Sequence, residues 1–177
     1  MTFAYADPPY IGQAKRHYGE AAREVNHRLL IQHLVDDYPD GWALSLSSPT
    51  LRVILPLCPE DARVMAWVKP FAVFKDRSVA YAWEPVIVRG GRRRSRTQDT
   101  VFDWVREPMA MRRDGFVGAK PARFCWWLFS VWNAKPGDEL ADLFPGSGAV
   151  SHAWEQWTRG PRQLSMTASP APEAEER

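Results

Sequence analysis

Apolar residues along this 177-residue chain form two kinds of pattern. Short continuous apolar runs are typical of buried strands, whereas apolar positions three and four residues apart are typical of helices. Continuous runs predict strands over residues 2–6, 42–47, 62–68, 80–88 and 140–144, and helical spacing predicts helices over 20–38, 51–57, 121–132 and 150–157. Because strands alternate with helices, the pattern predicts an α/β fold whose sheet is mostly parallel and flanked by helices.

Punctuating residues support several of these boundaries. Pro39-Asp40-Gly41 ends the first long helix, and Pro121 is placed at the first position of the aromatic-rich helix that follows it. Asn26 and His27, near the start of the first helix, could face a ligand, but a capped or exposed polar pair is the preferred interpretation.

Composition limits the classes of protein that need consideration. The length predicts one domain over residues 1–160, and the alanine, proline and glutamate content beyond it predicts a disordered tail over 161–177. The net charge of +2 is nearly balanced, so any attraction to phosphate must come from local clusters. Two cysteines without paired spacing predict reduced thiols in a cytoplasmic protein and no metal site. No apolar run reaches membrane-spanning length, so no membrane partner is expected.

The first strand ends in Asp7-Pro8-Pro9-Tyr10. Two consecutive prolines exclude both a helix and a continuing strand, so this segment must be a stiff turn. A carboxylate and a carbonyl held in such a turn can accept hydrogen bonds from both N–H groups of an exocyclic amine. This frees the lone pair of the nitrogen to attack an electrophilic methyl group. The Tyr10 ring offers a stacking surface for a base removed from its duplex. The alternative is an ordinary turn at the end of a strand.

A glycine-rich loop follows the last predicted strand. Pro145-Gly146-Ser147-Gly148 connects that strand to a helix, and glycines permit close approach of the backbone to a small polar ligand. The loop lacks the lysine of a nucleotide-triphosphate loop, so a carboxylate is a better candidate ligand than a phosphate. The alternative is a plain turn between a strand and a helix.

Three segments together resemble the methyltransferases that use S-adenosylmethionine (SAM), chiefly the DNA N6-adenine methyltransferases. Asp7-Pro8-Pro9-Tyr10 resembles their catalytic motif, residues 142–148 resemble their cofactor motif, and Lys120-Pro121 resembles the segment preceding it. The order, with the catalytic motif first, is similar to the permuted class labelled beta. The resemblance spans nearly all of residues 3–157 and implies a Rossmann-like class I methyltransferase fold, circularly permuted and truncated after the cofactor-loop helix.

The resemblance implies a role for each matched residue. Asp7 and the Pro8 carbonyl would bind the amine, Pro9 would stiffen the turn, Tyr10 would stack on the base, and Asp7 would also border the cofactor. SAM would be bound by Lys120, Pro121, Asp142, Phe144, Pro145, Gly146, Ser147 and Gly148. The implied reaction is direct transfer of a methyl group to the N6 amine of adenine in DNA, as in small enzymes of phages and prophages. Cytosine N4, an RNA adenosine substrate and a non-catalytic nucleic-acid-binding subunit are the alternatives.

Basic residues supply candidate contacts to nucleic acid. Arg92, Arg93, Arg94 and Arg96 form the one dense cationic run in the sequence, within a segment, residues 89–116, that is the only candidate for target recognition. Lys15 and Arg16 follow the catalytic turn and are further candidates. The recognition segment is short, and a homodimer could compensate for it. In larger relatives the cofactor loop is followed by a strand that ends in an acidic ribose ligand, whereas here Trp157 is followed by Gly160-Pro161 and the predicted tail. The ribose contact would therefore come from elsewhere, with Glu155 and Gln156 as candidates, or be missing.

Overall fold

The computed structural model describes residues 1–12, 24–70, 79–109 and 119–159. Six strands occur in these ranges: β1 (Thr2–Ala6), β2 (Gly41–Ser45), β3 (Arg63–Val68), β4 (Trp83–Gly90), β5 (Trp104–Arg106) and β6 (Glu139–Asp142). The α-helices are α1 (His27–Asp37), α2 (Leu51–Ile54), α3 (Ala122–Val131) and α4 (Ala149–Thr158), and 3₁₀ turns at Ser48–Thr50 and Leu55–Leu57 flank α2. None of the helices described is long and apolar enough to cross a membrane.

The strands form one sheet in the order β5-β3-β4-β2-β1-β6. β1 pairs in parallel with β2 and β6, and β5 pairs in parallel with β3, whereas β4 is antiparallel to both of its neighbours. Five strands therefore run in one direction and one runs against them. This confirms the predicted α/β fold with a mostly parallel sheet.

Two apolar cores lie on opposite faces of the sheet because side chains alternate along each strand. Phe3 and Tyr5 of β1 face the core that contains helices α3 and α4, while Ala4 and Ala6 face the core that contains α1 and α2. The first core is rich in aromatic rings, including a Phe3–Trp132 stack with ring centroids 5.1 Å apart. The aromatic helix predicted from the sequence is thus a buried element of this core.

Several element boundaries differ from the sequence prediction. Helix α1 begins at His27 rather than Glu20, because the Asn26 side chain accepts a hydrogen bond from the Leu29 amide at 3.2 Å and caps the helix; the predicted residues 20–23 lie outside the described ranges. Pro121 is the N-cap of α3, in an extended conformation, rather than its first helical residue. The remaining strand boundaries shift by three residues or fewer.

The sheet has two functionally different edges. The parallel strands β1, β2 and β6 end at one edge, which also carries the end of β3 and the start of β4; we call it the carboxyl edge. At the opposite, amino edge, Gly90 pairs with Gly41, and a Cβ on Gly90 would lie only 2.6 Å from the Asp40 carbonyl oxygen. Gly90 therefore permits close packing against the start of β2, and Gly91 permits close packing against the backbone of Trp132.

Candidate functional site

The catalytic-looking turn and the glycine loop leave the carboxyl edge side by side. Tyr5 of β1 is in register with Asp142 of β6, and the Leu143 amide donates a hydrogen bond to the Tyr5 carbonyl at 2.9 Å. The helix after β1 lies on one face of the sheet and the helix after β6 lies on the other. Such a change of face between neighbouring strands opens a crevice in which α/β sheets bind ligands.

Asp7 is held by a buried lysine that comes from a distant part of the chain. Lys120 Nζ lies 2.9 Å from Asp7 Oδ2, and the lysine is only 7 % exposed. Lys120 Nζ also lies 3.6 Å from Glu84 Oε2, and Lys69 forms an ion pair with the other oxygen of Glu84. The structure thus gives Lys120 a carboxylate of the protein as its partner, and its predicted contact with a cofactor stays a prediction.

Burial and charge act in opposite directions within this cluster. Burial raises the pKa of Asp7, and Lys120 opposes that rise. Burial would lower the pKa of Lys120, but the Asp7 and Glu84 carboxylates together raise it. For Glu84, burial would raise the pKa, but Lys120 and Lys69 lower it. The arrangement favours the charged form of the ammonium group at the centre of the cluster.

The remaining residues of the turn form a compact wall beside Asp7. Pro8 is buried, and Pro9 and Tyr10 are half-buried. Burial, together with the nearby Glu84 and Asp7 carboxylates, raises the pKa of Tyr10 well above its usual value. Tyr10 therefore remains a neutral phenol at neutral pH, with a ring suited to stacking.

The glycine loop has the backbone geometry that its sequence suggests. Gly148 has φ +72° and directly precedes helix α4, and the Gly148 amide donates to the Pro145 carbonyl at 2.6 Å. Pro145 and Gly146 are exposed, while Phe144, Ser147 and Gly148 are half-buried. The first amides of α4 have no acceptors within their own helix, so they are available to a ligand.

Asp142 contributes a buried acceptor beside this loop. Its Oδ2 accepts a hydrogen bond from the Ser151 hydroxyl at 3.1 Å, whereas its Oδ1 is buried and has no hydrogen-bond partner. Burial raises the pKa of Asp142, and the hydrogen bond from Ser151 opposes that rise. An unpartnered buried acceptor is costly without a ligand, so Asp142 suits a bound group that donates hydrogen bonds.

The basic run leaves the sheet at the amino edge, away from the turn and the loop. Arg92 makes two hydrogen bonds to Asp138, at 2.8 and 2.9 Å, and Arg94 donates to the carbonyl oxygens of Ser130 and Asp99. The side chains of these two arginines are therefore engaged in hydrogen bonds within the protein, while Arg93 and Arg96 are exposed. Binding of nucleic acid by all four stays a prediction.

Other predicted residues have separate positions. Lys15 and Arg16 lie outside the described residues, as do 110–116 of the recognition segment and the tail 161–177. Glu155 contacts Arg159, and Gln156 contacts His152, on exposed positions of α4. Their proposed role as ribose ligands stays a prediction.

Sequence reasoning missed Glu84 and Lys69. Both lie at strand ends, Glu84 within β4 and Lys69 directly after β3, and each contributes a charge to the carboxyl edge. A glutamate within an apolar strand, followed by proline, was the available signal. Among the described residues, no group of three or more His, Cys, Asp or Glu side chains is placed to hold a metal ion.

Solved structures provide the comparison that identifies the fold. The crystal structure of the M1.HpyAVI–SAM complex matches 89 % of this chain and 78 % of its own, with a TM-score of 0.62 and 14 % sequence identity. A second M1.HpyAVI structure matches 88 % of this chain and 76 % of its own, with a TM-score of 0.58 and 15 % identity. The chain shares the fold of M1.HpyAVI. The predicted Rossmann-like α/β fold is thereby confirmed. No protein-family model matches the chain, and no curated protein matches it in sequence.

Proposed function

We propose that this chain transfers a methyl group from SAM to the exocyclic N6 amine of adenine in DNA. The observation that carries the proposal is the adjacency of Asp7 and Asp142 at the ends of neighbouring parallel strands. A fold shared with a protein that was crystallised with SAM supports the choice of cofactor. The permuted order of the motifs is part of the same proposal.

The residues of the loop fit such a cofactor. Asp142 offers an unpartnered buried acceptor, Gly146 and Gly148 allow close approach of the backbone, and Phe144 offers an apolar surface. When bound there, SAM supplies an electrophilic methyl group on a sulfonium centre. Asp7 and its charged cluster follow the neighbouring strand β1, and the amine would bind there.

The protein's own contribution is positioning and charge. Asp7 and the Pro8 carbonyl accept the two N–H groups of the amine, which favours a pyramidal nitrogen with an available lone pair. Tyr10 stacks on the flipped base and fixes its plane. Holding the nitrogen in line with the methyl group can lower the activation barrier by about 7–11 kcal/mol in favourable systems. The amine proton then leaves to water, so no strong base is required.

The product identifies the reaction. Purified protein is incubated with SAM and unmethylated DNA, and the DNA is digested to nucleosides and analysed by mass spectrometry. The proposal predicts N6-methyldeoxyadenosine. Detection of N4-methyldeoxycytidine would assign the same mechanism to cytosine instead of adenine. Methylation of an RNA control alone would show that the substrate is RNA rather than DNA. SAM binding without any methylated nucleoside would contradict the proposal.

A further inference from the structure

Four charged side chains of alternating sign form a continuous cluster at the site. Asp7 contacts Lys120, Lys120 faces Glu84, and Glu84 contacts Lys69. The members come from the turn after β1, the segment before α3, the start of β4 and the end of β3. Four separate parts of the chain therefore contribute to one charged cluster that includes Asp7.

An aromatic wall encloses the two ammonium groups. Lys69 Nζ lies 4.7 Å from the centroid of the Trp67 ring, and Lys120 Nζ lies 5.2 Å from the same ring and 5.9 Å from the Phe124 ring. Trp67 is 3 % exposed and Phe124 is fully buried. These rings restrict water, which strengthens each charge interaction inside the cluster.

A half-buried carboxylate in such surroundings is favoured in its ionised form by a fixed cation. Burial raises the pKa of Asp7, and the Glu84 carboxylate adds to this rise, whereas Lys120 and Lys69 oppose it. Four other titratable groups share this electrostatic environment. They are the neutral hydroxyls of Tyr5 and Tyr10, the thiol of Cys125 and the half-buried carboxyl group of Asp142. Lys120 is therefore the principal group that favours the Asp7 carboxylate.

We propose that Lys120 is a positioning residue for Asp7 and that Glu84 acts against it as a competing negative charge. Lys120 engages Asp7 Oδ2 and keeps the carboxyl group ionised, so that Oδ1 accepts a hydrogen bond from the substrate amine. Glu84, itself paired with Lys69, shares the Lys120 ammonium group with Asp7 and adds a negative charge that opposes ionisation of Asp7. A protonated Asp7 would be a poorer acceptor and would compete as a donor, so the cluster sets the pH range in which the site can activate an amine. This inference rests on the proposed function for its consequence, but the charge state of Asp7 is measurable without turnover.

The test compares two substitutions with opposite expected signs. The Asp7 carboxyl is followed by NMR in protein labelled with ¹³C at the aspartate carboxyl carbons, and its signal is assigned by its loss in Asp7→Asn. Lys120→Met removes the cation, so the titration midpoint of Asp7 rises by about 1–3 pH units. Glu84→Gln removes a neighbouring negative charge, so the midpoint falls. Lys120→Arg keeps the charge and restores the midpoint toward that of the wild type.

Lys135→Met is the matched control, because Lys135 is an exposed lysine at the amino edge. It should leave the Asp7 midpoint unchanged. If Lys120→Met does not fold, the Glu84→Gln variant decides alone, because the titration midpoint of Asp7 must fall in it. An unchanged midpoint in Lys120→Met, or a rise in Glu84→Gln, would overturn the proposal, because a merely structural role predicts no opposed shifts.

Activity separates this inference from the proposed function. If methyl transfer occurs, the acidic limb of kcat/KM shifts up in Lys120→Met and down in Glu84→Gln. Opposed NMR shifts without any methyl transfer would support the cluster and refute the proposed reaction. Methyl transfer with an unchanged titration midpoint of Asp7 in both variants would support the proposed reaction and refute the role of the cluster in setting the charge of Asp7.

Discussion

Replacing Gly148 with alanine tests whether the glycine loop is a ligand site or only a turn. Gly148 has φ +72°, and a Cβ built there meets no atom within 4 Å, so the change introduces backbone strain without a clash. An L-residue in this conformation costs about 1–2 kcal/mol. For a domain of this size, that lowers the melting temperature by about 2–8 °C.

Binding adds a second effect at this position. A loop that relaxes the strain must recover its conformation when SAM binds, and the new methyl group also occupies the space beside the helix start. A penalty of about 1–2 kcal/mol weakens SAM affinity about 5- to 30-fold, measured by isothermal titration calorimetry.

Gly137→Ala is the matched control for this prediction. Gly137 has φ +90° and equally open surroundings, but it lies in the turn before β6, at the amino edge. It should lose the same stability as Gly148→Ala and keep the wild-type affinity for SAM. Equal affinities in the two variants would refute the assignment of the loop to SAM.

Three further predictions concern the fold. Trp132 is fully buried, so Trp132→Ala should lower the free energy of unfolding by about 3–5 kcal/mol in urea denaturation; a loss below about 1 kcal/mol would contradict its core position. Hydrogen bonds from Arg92 hold the pKa of Asp138 well below its usual range, so the stability that they provide is present above about pH 4 and is lost as the pH falls; Arg92→Met should flatten this acid dependence, measured by denaturation between pH 3 and 7. Burial raises the pKa of Cys58 to about 11 and of Cys125 to about 12, so both thiols should react slowly with a disulfide reagent at neutral pH, and rapid labelling of folded protein would contradict their burial.

Local patterns in the sequence predicted the layers of the fold well. The bounds of β1 agree with the continuous apolar run over residues 2–6, and the helices after β1 and β6 follow from apolar spacing and from proline and glycine at their ends. The parallel pairing of β1 with β2 follows from the strand, helix, strand order. These features depend on neighbours in sequence, which a pattern can reveal.

Features that depend on distant residues escaped prediction. β5 is only three residues long, and its outer residues Trp104 and Arg106 are exposed, so its apolar content is too small for a strand signal. The basic run looked free to bind phosphate, but Arg92 is paired with Asp138, 46 residues away. No local pattern indicates such a pairing.

The candidate site shows the same division. The turn after β1 and the glycine loop could be proposed from their own residues, because the role proposed for each depends on backbone and side-chain groups that are adjacent in sequence. The contact between Asp7 and Lys120 spans more than a hundred residues and exists only because α3 packs on the face of the sheet next to β1. Glu84 likewise joins the site through the antiparallel strand β4, whose direction the sequence left open.

The most direct test of the account separates cofactor binding from methyl transfer at Asp7. Asp7→Asn keeps the shape of the side chain but removes the carboxylate, and Asp36→Asn, at an exposed position of α1, is the matched control. SAM affinity is measured by calorimetry, and methyl transfer to DNA is measured with radiolabelled SAM. We expect Asp7→Asn to bind SAM nearly as the wild type does and to lose at least about 100-fold in the rate of methyl transfer, while Asp36→Asn retains both. Wild-type methyl transfer by Asp7→Asn would contradict the central claim that this carboxylate activates the amine.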